Sequence, residues 1–327
     1  MAVNVTVTSP TAARPWARFG VRRLGRLLVS LWVLVTASFA MIHLIPGDPV
    51  RGALGPTAPM DLVEARRHAL GLDDPLVTQY LHYLEGLLTG DLGTSISSQL
   101  PVSDIVAQRL PATLSLAVLA FLAAVVVAIP LGVAMGVLTR RGHGRRTELA
   151  FTTTSVVVAT VPDFLIGVAL IYVFGIRLEW FPVAGNETAS AYLLPVFSLA
   201  IGPAAILARI VRVEMVGVLE ADFVRTARAK RLPARTVYLG HALPNAVTAA
   251  LTLGGLLLSA MVAGTVLVEN VFAWPGLGST IVQSILTKDY PVVQAIVLVY
   301  GVGVLVTNLV VDIALALLDP RSTIRED

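Results

Sequence analysis

Six runs of apolar residues, each near the length that crosses a bilayer, constrain this chain more than any motif in it. They are Leu24 to Ile45, Ala112 to Leu138, Leu149 to Phe174, Leu193 to Val211, Ala246 to Val268 and Val292 to Leu318. A spanning helix takes about 20 mostly apolar residues. A soluble fold would have to bury all six in one core, and the polar surface for that is missing. Of 327 residues, 56% are hydrophobic and 14% charged, against roughly 25% charged in an ordinary soluble domain. Gly and Pro inside the runs (Pro130, Pro162, Gly202-Pro203, Gly254-Gly255) are tolerated in membrane helices when neighbours satisfy the freed backbone groups. The sequence predicts an all-α polytopic membrane protein with six transmembrane helices.

The cations set the expected orientation. With the N-terminus in the cytoplasm, inside segments hold Arg14, Arg18, Arg22, Arg23 and Arg26, then Arg140, Arg141, Arg145 and Arg146. Seven more lie between Arg209 and Arg235, followed by Arg321 and Arg325, so that 18 of the 24 cations fall inside. Outside fall Arg51, Arg66, Arg67, Arg109, Arg177 and Lys288. This is the positive-inside pattern, and it predicts a multi-pass protein of the cell membrane with both termini cytoplasmic. The first apolar run is too long for a signal peptide and lacks a small-residue cleavage site, so it reads as a retained helix. The expected division is a cytoplasmic tail over residues 1–20, helix 1 over 21–46 and an extracytoplasmic subdomain over 47–111. A core of helices 2 to 6 follows over 112–318, with a cytoplasmic loop at 212–246, and then a tail at 319–327.

The 47–111 segment is too long for a connector. IPGDP (Ile45 to Pro49) is turn chemistry. MDLVEARRHALGL predicts a short helix from Asp61 to Leu70, with Asp61 as N-cap and Gly71 as stop. PLVTQYLHYLEGLL predicts a second helix, Pro75 to Leu88, and GDLGTSISSQLPV reads as a loop.

Catalytic motifs are absent. A phosphate-binding Walker loop needs Gly-Lys, and the two lysines, Lys230 and Lys288, follow Ala and Thr. No histidine precedes Glu, which removes the HExxH zinc motif, and there is no GxSxG elbow. With no cysteine, disulfides and thiolate chemistry are excluded. The pI of 9.4 reflects topology, because no basic patch is interleaved with aromatics as nucleic-acid binding would need.

Three features remain for function. Asp163 lies in an apolar run beside Pro162, where a carboxylate is costly; it either faces a pathway or makes an interhelical hydrogen bond. Asp312, near the end of helix 6, reads as a structural pair. In VENVFAWPGLGS, Glu269 and Asn270 are further pathway candidates, Phe272 and Trp274 suit membrane-interface anchors, and Pro275-Gly276 suits a turn. The most informative stretch is DFVRTARAKRLPARTVYLGHALPNA, Asp222 to Ala246. It is basic and helix-prone, and it lies between two spanning runs where a plain connector would be short.

Taken in order, IPGDP, LGLDDPLVTQYLHYL, GDLGTSISSQLPV, RLPATLSLA, DFVRTARAKRL, HALPNA, VENVFAWPGLGS and NLVVDIALALLDPR make the chain from about residue 20 resemble a known family. It resembles the B-type permease subunit of type I ABC importers serving dipeptides, oligopeptides and nickel. The resemblance implies a translocation pathway formed with a second homologous permease subunit in membrane lipid. It implies two ATPase subunits, which carry ATP and Mg, and an extracytoplasmic substrate-binding protein. It implies no cofactor or catalysis in this chain and no nucleic acid. The family's docking signature is a Glu-Ala-Ala element, a glycine four residues later and a downstream Leu-Pro. Counting back from Leu243-Pro244 places the element on Arg225-Thr226-Ala227, followed by Arg228 and Ala229, with Arg231 in the glycine position. Arg there departs from the pattern, so either the turn is reshaped or Pro233 provides the stop. The alternative, a self-contained secondary transporter or channel, predicts inverted repeats or a string of intramembrane ionisable residues, and Asp163 and Asp312 alone do not make one. Peptide, nickel and glutathione importers share these motifs.

Overall fold

The computed structural model describes residues 13–44, 49–55, 57–69, 71–140 and 144–318. Most of IPGDP, Arg141, the 1–12 segment and the 319–327 tail lie outside the described residues. Twelve α-helices follow in order: α1 (Ala13–Leu44), α2 (Pro49–Leu54), α3 (Met60–Ala69), α4 (Leu76–Thr89), α5 (Val102–Leu138), α6 (Arg145–Thr160), α7 (Asp163–Leu170), α8 (Leu193–Leu219), α9 (Asp222–Ala229), α10 (Leu243–Val271), α11 (Leu277–Leu286) and α12 (Tyr290–Leu318).

Five helices, α1, α5, α8, α10 and α12, are long and apolar enough to span alone. The third expected span is not one rod. It is the pair α6 and α7, bent by 93°. The cause is local: Val161 precedes Pro162 and takes an extended backbone (φ −73°, ψ 124°), as steric conflict with a following proline ring requires. Counting the pair as one span gives the six that the apolar runs predict.

Alpha5 and α8 form the most extensive pairing. On α5 the buried positions Ala120, Ala124, Ala128, Gly132 and Gly136 recur every fourth residue, giving one face on which α8 can approach closely. A Cβ added at Gly132 would lie 2.6 Å from the Ala208 carbonyl oxygen and from Val211 Cβ. Only glycine fits. Leu199, Leu207, Ala208, Val211 and Met215 of α8, each 3% exposed or less, fill this contact. Alpha10 then packs on α8 and α12, and α1 packs on α12.

In the N-terminal segment, α3 begins at Met60, so Asp61 sits in its first turn and not at the N-cap. Gly71 follows in the left-handed region (φ +64°), and Pro75 caps α4. Phe39 of α1 stacks near Tyr80 and Tyr83 of α4. Burial pushes the Tyr83 phenol above its ordinary range.

The two ends of the bundle differ in charge. One end gathers the start of α1, the end of α5, the start of α6, the α8–α10 connection and the end of α12. It therefore holds Arg22, Arg23, Arg26, Arg140, Arg145 and Arg146 together with the basic stretch.

Candidate functional site: a basic hairpin and two buried carboxylates

Alpha9 is a single short helix whose two faces differ. Val224 and Ala227 are 0% and 7% exposed and pack with Met215, Leu219, Val237, Ala242 and Ala246. Phe223, Arg225, Thr226 and Ala229 lie on the outer side. The helix starts after Ala221, which has no side-chain cap, and Thr226 Oγ1 donates back to the Asp222 carbonyl at 3.0 Å. Arg225 reaches Asp222 at 3.2 Å with both groups largely exposed, so the pair contributes little.

Arg231 takes φ +54°. Its N–H donates to the Arg228 carbonyl at 2.9 Å and the Leu232 N–H donates to the Ala227 carbonyl at 3.4 Å. Those two bonds are the Schellman closure, and Leu232 packs onto the Ala227 cluster as its apolar contact. The turn is not reshaped, and Pro233 is not needed as a stop: arginine holds the left-handed position itself. Beyond it, the chain winds through wider turns at Thr236–Ala242 into α10, where Leu243 is half-buried and Pro244 lies in the first turn.

Polar contacts tie together the bundle end next to the hairpin, and one of them reaches the hairpin itself. Arg212 of α8 donates to Glu148 of α6 at 2.6 Å and to Thr139 Oγ1 at the end of α5 at 3.0 Å. The Arg140 guanidinium lies 5.8 Å from the Tyr238 ring centroid, within cation–π range. Arg228 Nη2 is buried and has no hydrogen-bond partner among the described residues.

At the opposite end stand two buried carboxylates. Glu269, near the end of α10, is 0% exposed. Its Oε1 accepts from Thr113 Oγ1 at 2.7 Å, and its Oε2 accepts from the Gly278 and Ser279 N–H groups at 2.7 and 3.1 Å. It therefore caps the start of α11, where free N–H groups favour an anion. Thr113 also accepts from the Leu277 N–H at 2.8 Å, which ties α5, α10 and α11 into one knot. Asn270 donates to the Val266 and Gly278 carbonyls. Phe272 and Trp274, expected as interface anchors, are instead 1% and 0% exposed. Trp274 Nε1 donates to the Ala112 carbonyl at 3.0 Å and its ring meets Tyr192 edge-on, so bonding the indole N–H inside the bundle replaces the interfacial role.

Asp289, 1% exposed, was not visible as special in the sequence. It accepts from Ser95 Oγ and Ser97 Oγ at 2.5 Å each, and from the Ile96 and Ser97 N–H groups at 3.0 and 3.1 Å. The expected loop Gly90 to Val102 is thus pinned to the start of α12.

Asp163 heads α7 at the 93° bend. Its backbone carbonyl accepts from Ser198 Oγ at 2.6 Å, so an interhelical hydrogen bond exists, though not through the carboxylate. The carboxylate lies beside Gly202 and Gly264 and has no hydrogen-bond or ion-pair partner among the described residues. Asp312 pairs with Arg23 of α1, the structural pairing expected. The structure thus gathers the residues from Arg225 to Pro244 in one hairpin, and it keeps Asp163, Glu269 and Asn270 apart from it.

Known proteins agree with this architecture. Residues 128–324 match the family described as "Binding-protein-dependent transport system inner membrane component", and residues 16–117 match "Binding-prot-dependent transport system membrane comp, N-term". The glutathione transport system permease protein GsiC of Escherichia coli (strain K12) is 37% identical over 300 residues, 92% of this chain and 97% of that protein. The protein of the same name from Shigella flexneri serotype 5b (strain 8401) matches to the same extent. The inward-facing MetNI methionine ABC transporter aligns with 66% of this chain and 96% of its own, at a TM-score of 0.55 and 18% identity. That likeness shows the fold.

Proposed function

The chain belongs to the family of binding-protein-dependent transport system inner membrane components, and on that premise we propose that it forms half of the pathway of a short-peptide importer. It is a non-catalytic permease subunit of a type I ABC importer, and ATP hydrolysis resides in a separate subunit. A second, homologous permease completes the pathway, two ATPase subunits sit beneath the basic end, and both termini are cytoplasmic. The observation that carries the docking assignment is the α9 hairpin: an outward face of Phe223, Arg225, Thr226 and Ala229 on a helix whose inner face and C-terminal turn are fixed. Binding of ATP draws the ATPase subunits together, and differential contact with the two ATPase states moves the bundle.

Glu269 and Asn270 serve in this reading as positioning residues for the outer end, and Asp163 remains the residue proposed to face the pathway. Support for a peptide substrate comes from relatives named as glutathione permeases, since glutathione is itself a modified tripeptide. The test is uptake by the assembled transporter, reconstituted with its own binding protein, of labelled glutathione, a dipeptide and nickel ion. Peptide or glutathione uptake is expected. Uptake of nickel alone would defeat the peptide reading, and ATP-independent uptake would defeat the importer reading.

A further inference from the structure

We infer that the groove between α1 and α12 at the basic end is a binding site for an anionic phospholipid. The groove, of about 110 Å³, is lined by Arg23, Arg26, Ser30, Asn308 and Asp312, with Leu27, Leu305 and Leu309 below them. Arg23 pairs with Asp312, which fixes its guanidinium at the groove wall. Arg26, one turn further along α1, has no hydrogen-bond or ion-pair partner among the described residues and is exposed. Two guanidinium groups against one carboxylate leave a surplus positive charge at this point.

The remaining polar wall also donates. Asn308 Oδ1 already accepts from Ser259 Oγ at 2.9 Å, so the amide has its Nδ2 donors left for the groove, and Ser30 adds a hydroxyl. Arginine forks match a phosphodiester's oxygens well. A free anion would be satisfied by this head alone. The flanks specify a lipid. Leu24, Leu28 and Val29 on α1 are 58%, 55% and 61% exposed, and Val306, Val310 and Ile313 on α12 are 49%, 59% and 47% exposed. These exposed apolar side chains flank the charged groove at its own level on both spanning helices, on faces open to acyl chains. Basic pockets between spanning helices at the cytoplasmic side are suited to anionic headgroups.

Native mass spectrometry of the assembled transporter, equilibrated with equal phosphatidylglycerol and phosphatidylethanolamine, reads the occupancy directly. The wild type is expected to retain phosphatidylglycerol preferentially. Arg26→Gln is expected to lower that retention about fivefold, the worth of one arginine near a charged surface, while Arg66→Gln, which removes the same charge from α3, leaves it unchanged. No headgroup preference in the wild type, equal retention by wild type and Arg26→Gln, or an equal loss in Arg66→Gln would each overturn the assignment. The readout is lipid occupancy, so it stands or falls separately from the identity of the transported substrate.

Discussion

Arg231 holds a backbone conformation that glycine adopts at little steric cost, and the sequence already marked the position as a departure. What the sequence left open was which side would yield. The Schellman bonds and the Leu232 contact outweigh a left-handed penalty of about 1–2 kcal/mol. Arg231→Gly is therefore expected to be neutral or to strengthen coupling, read as transport-coupled ATPase activity at low and high salt. A loss confined to low salt would instead reveal a contact with an acid on the ATPase, worth under about 1 kcal/mol; a large loss at both salts would refute both accounts. Glu269→Gln keeps the shape but brings an NH2 group against the Thr113 hydroxyl or the Gly278 and Ser279 N–H groups. Destabilisation by about 1–3 kcal/mol is expected, read as a lower midpoint in thermal unfolding of the purified protein, and an unchanged midpoint would remove the knot's role. Gly278 is a sharper probe. A Cβ there would lie 2.5 Å from Val266 Cα, and backbone cannot step aside, so Gly278→Ala should lower the midpoint as well. Asp289 escaped the sequence reading for a physical reason: an acid between Lys288 and Tyr290-Pro291 looks like an ordinary solvated turn, and its serine partners lie almost 200 residues earlier.

At the scale of elements, the hairpin's existence was legible from its basic, helix-prone composition, but its facing was not. Phe223, Ala227 and Ala229 are alike apolar within this short helix, and only packing against its neighbours decides that Ala227 turns inward while Phe223 and Ala229 stay outside. That changes what a substitution there tests. Ala227→Glu would drive a carboxylate into the cluster around Met215 and Val237, so loss of the hairpin fold is expected, visible as new protease cleavage between α8 and α10. Phe223→Ala, on the outer face, is expected to leave that protease pattern intact while reducing the ATPase that co-purifies. Full ATPase recovery with Phe223→Ala would move the docking face elsewhere. The broken third span shows a similar division. Length and apolarity announced a crossing segment and Pro162 announced a weak point, yet nothing in the run announced which helices α7 would meet past the bend, namely α8 and α10.

For the whole molecule, the six crossings and the concentration of arginines at one end follow from quantities summed over many residues, which is why the apolar runs and cation counts captured them. The same asymmetry predicts that a reporter fused after Asp327 is cytoplasmic and one inserted near Ala58 is external; the reverse pattern would overturn the orientation. Helix-to-helix order was harder to read, because the four-residue rhythm of small residues on α5 resembles mere apolar filler until α8 is seen against it. That contact has a mechanical consequence. Where backbone meets side chain with no room for a single methyl group, sliding or rolling of α5 along α8 would drive those atoms together, so the pair is built to swing as a single beam. In the importer reading proposed above, push applied at the hairpin would travel along α8 and α5 together instead of being lost between them.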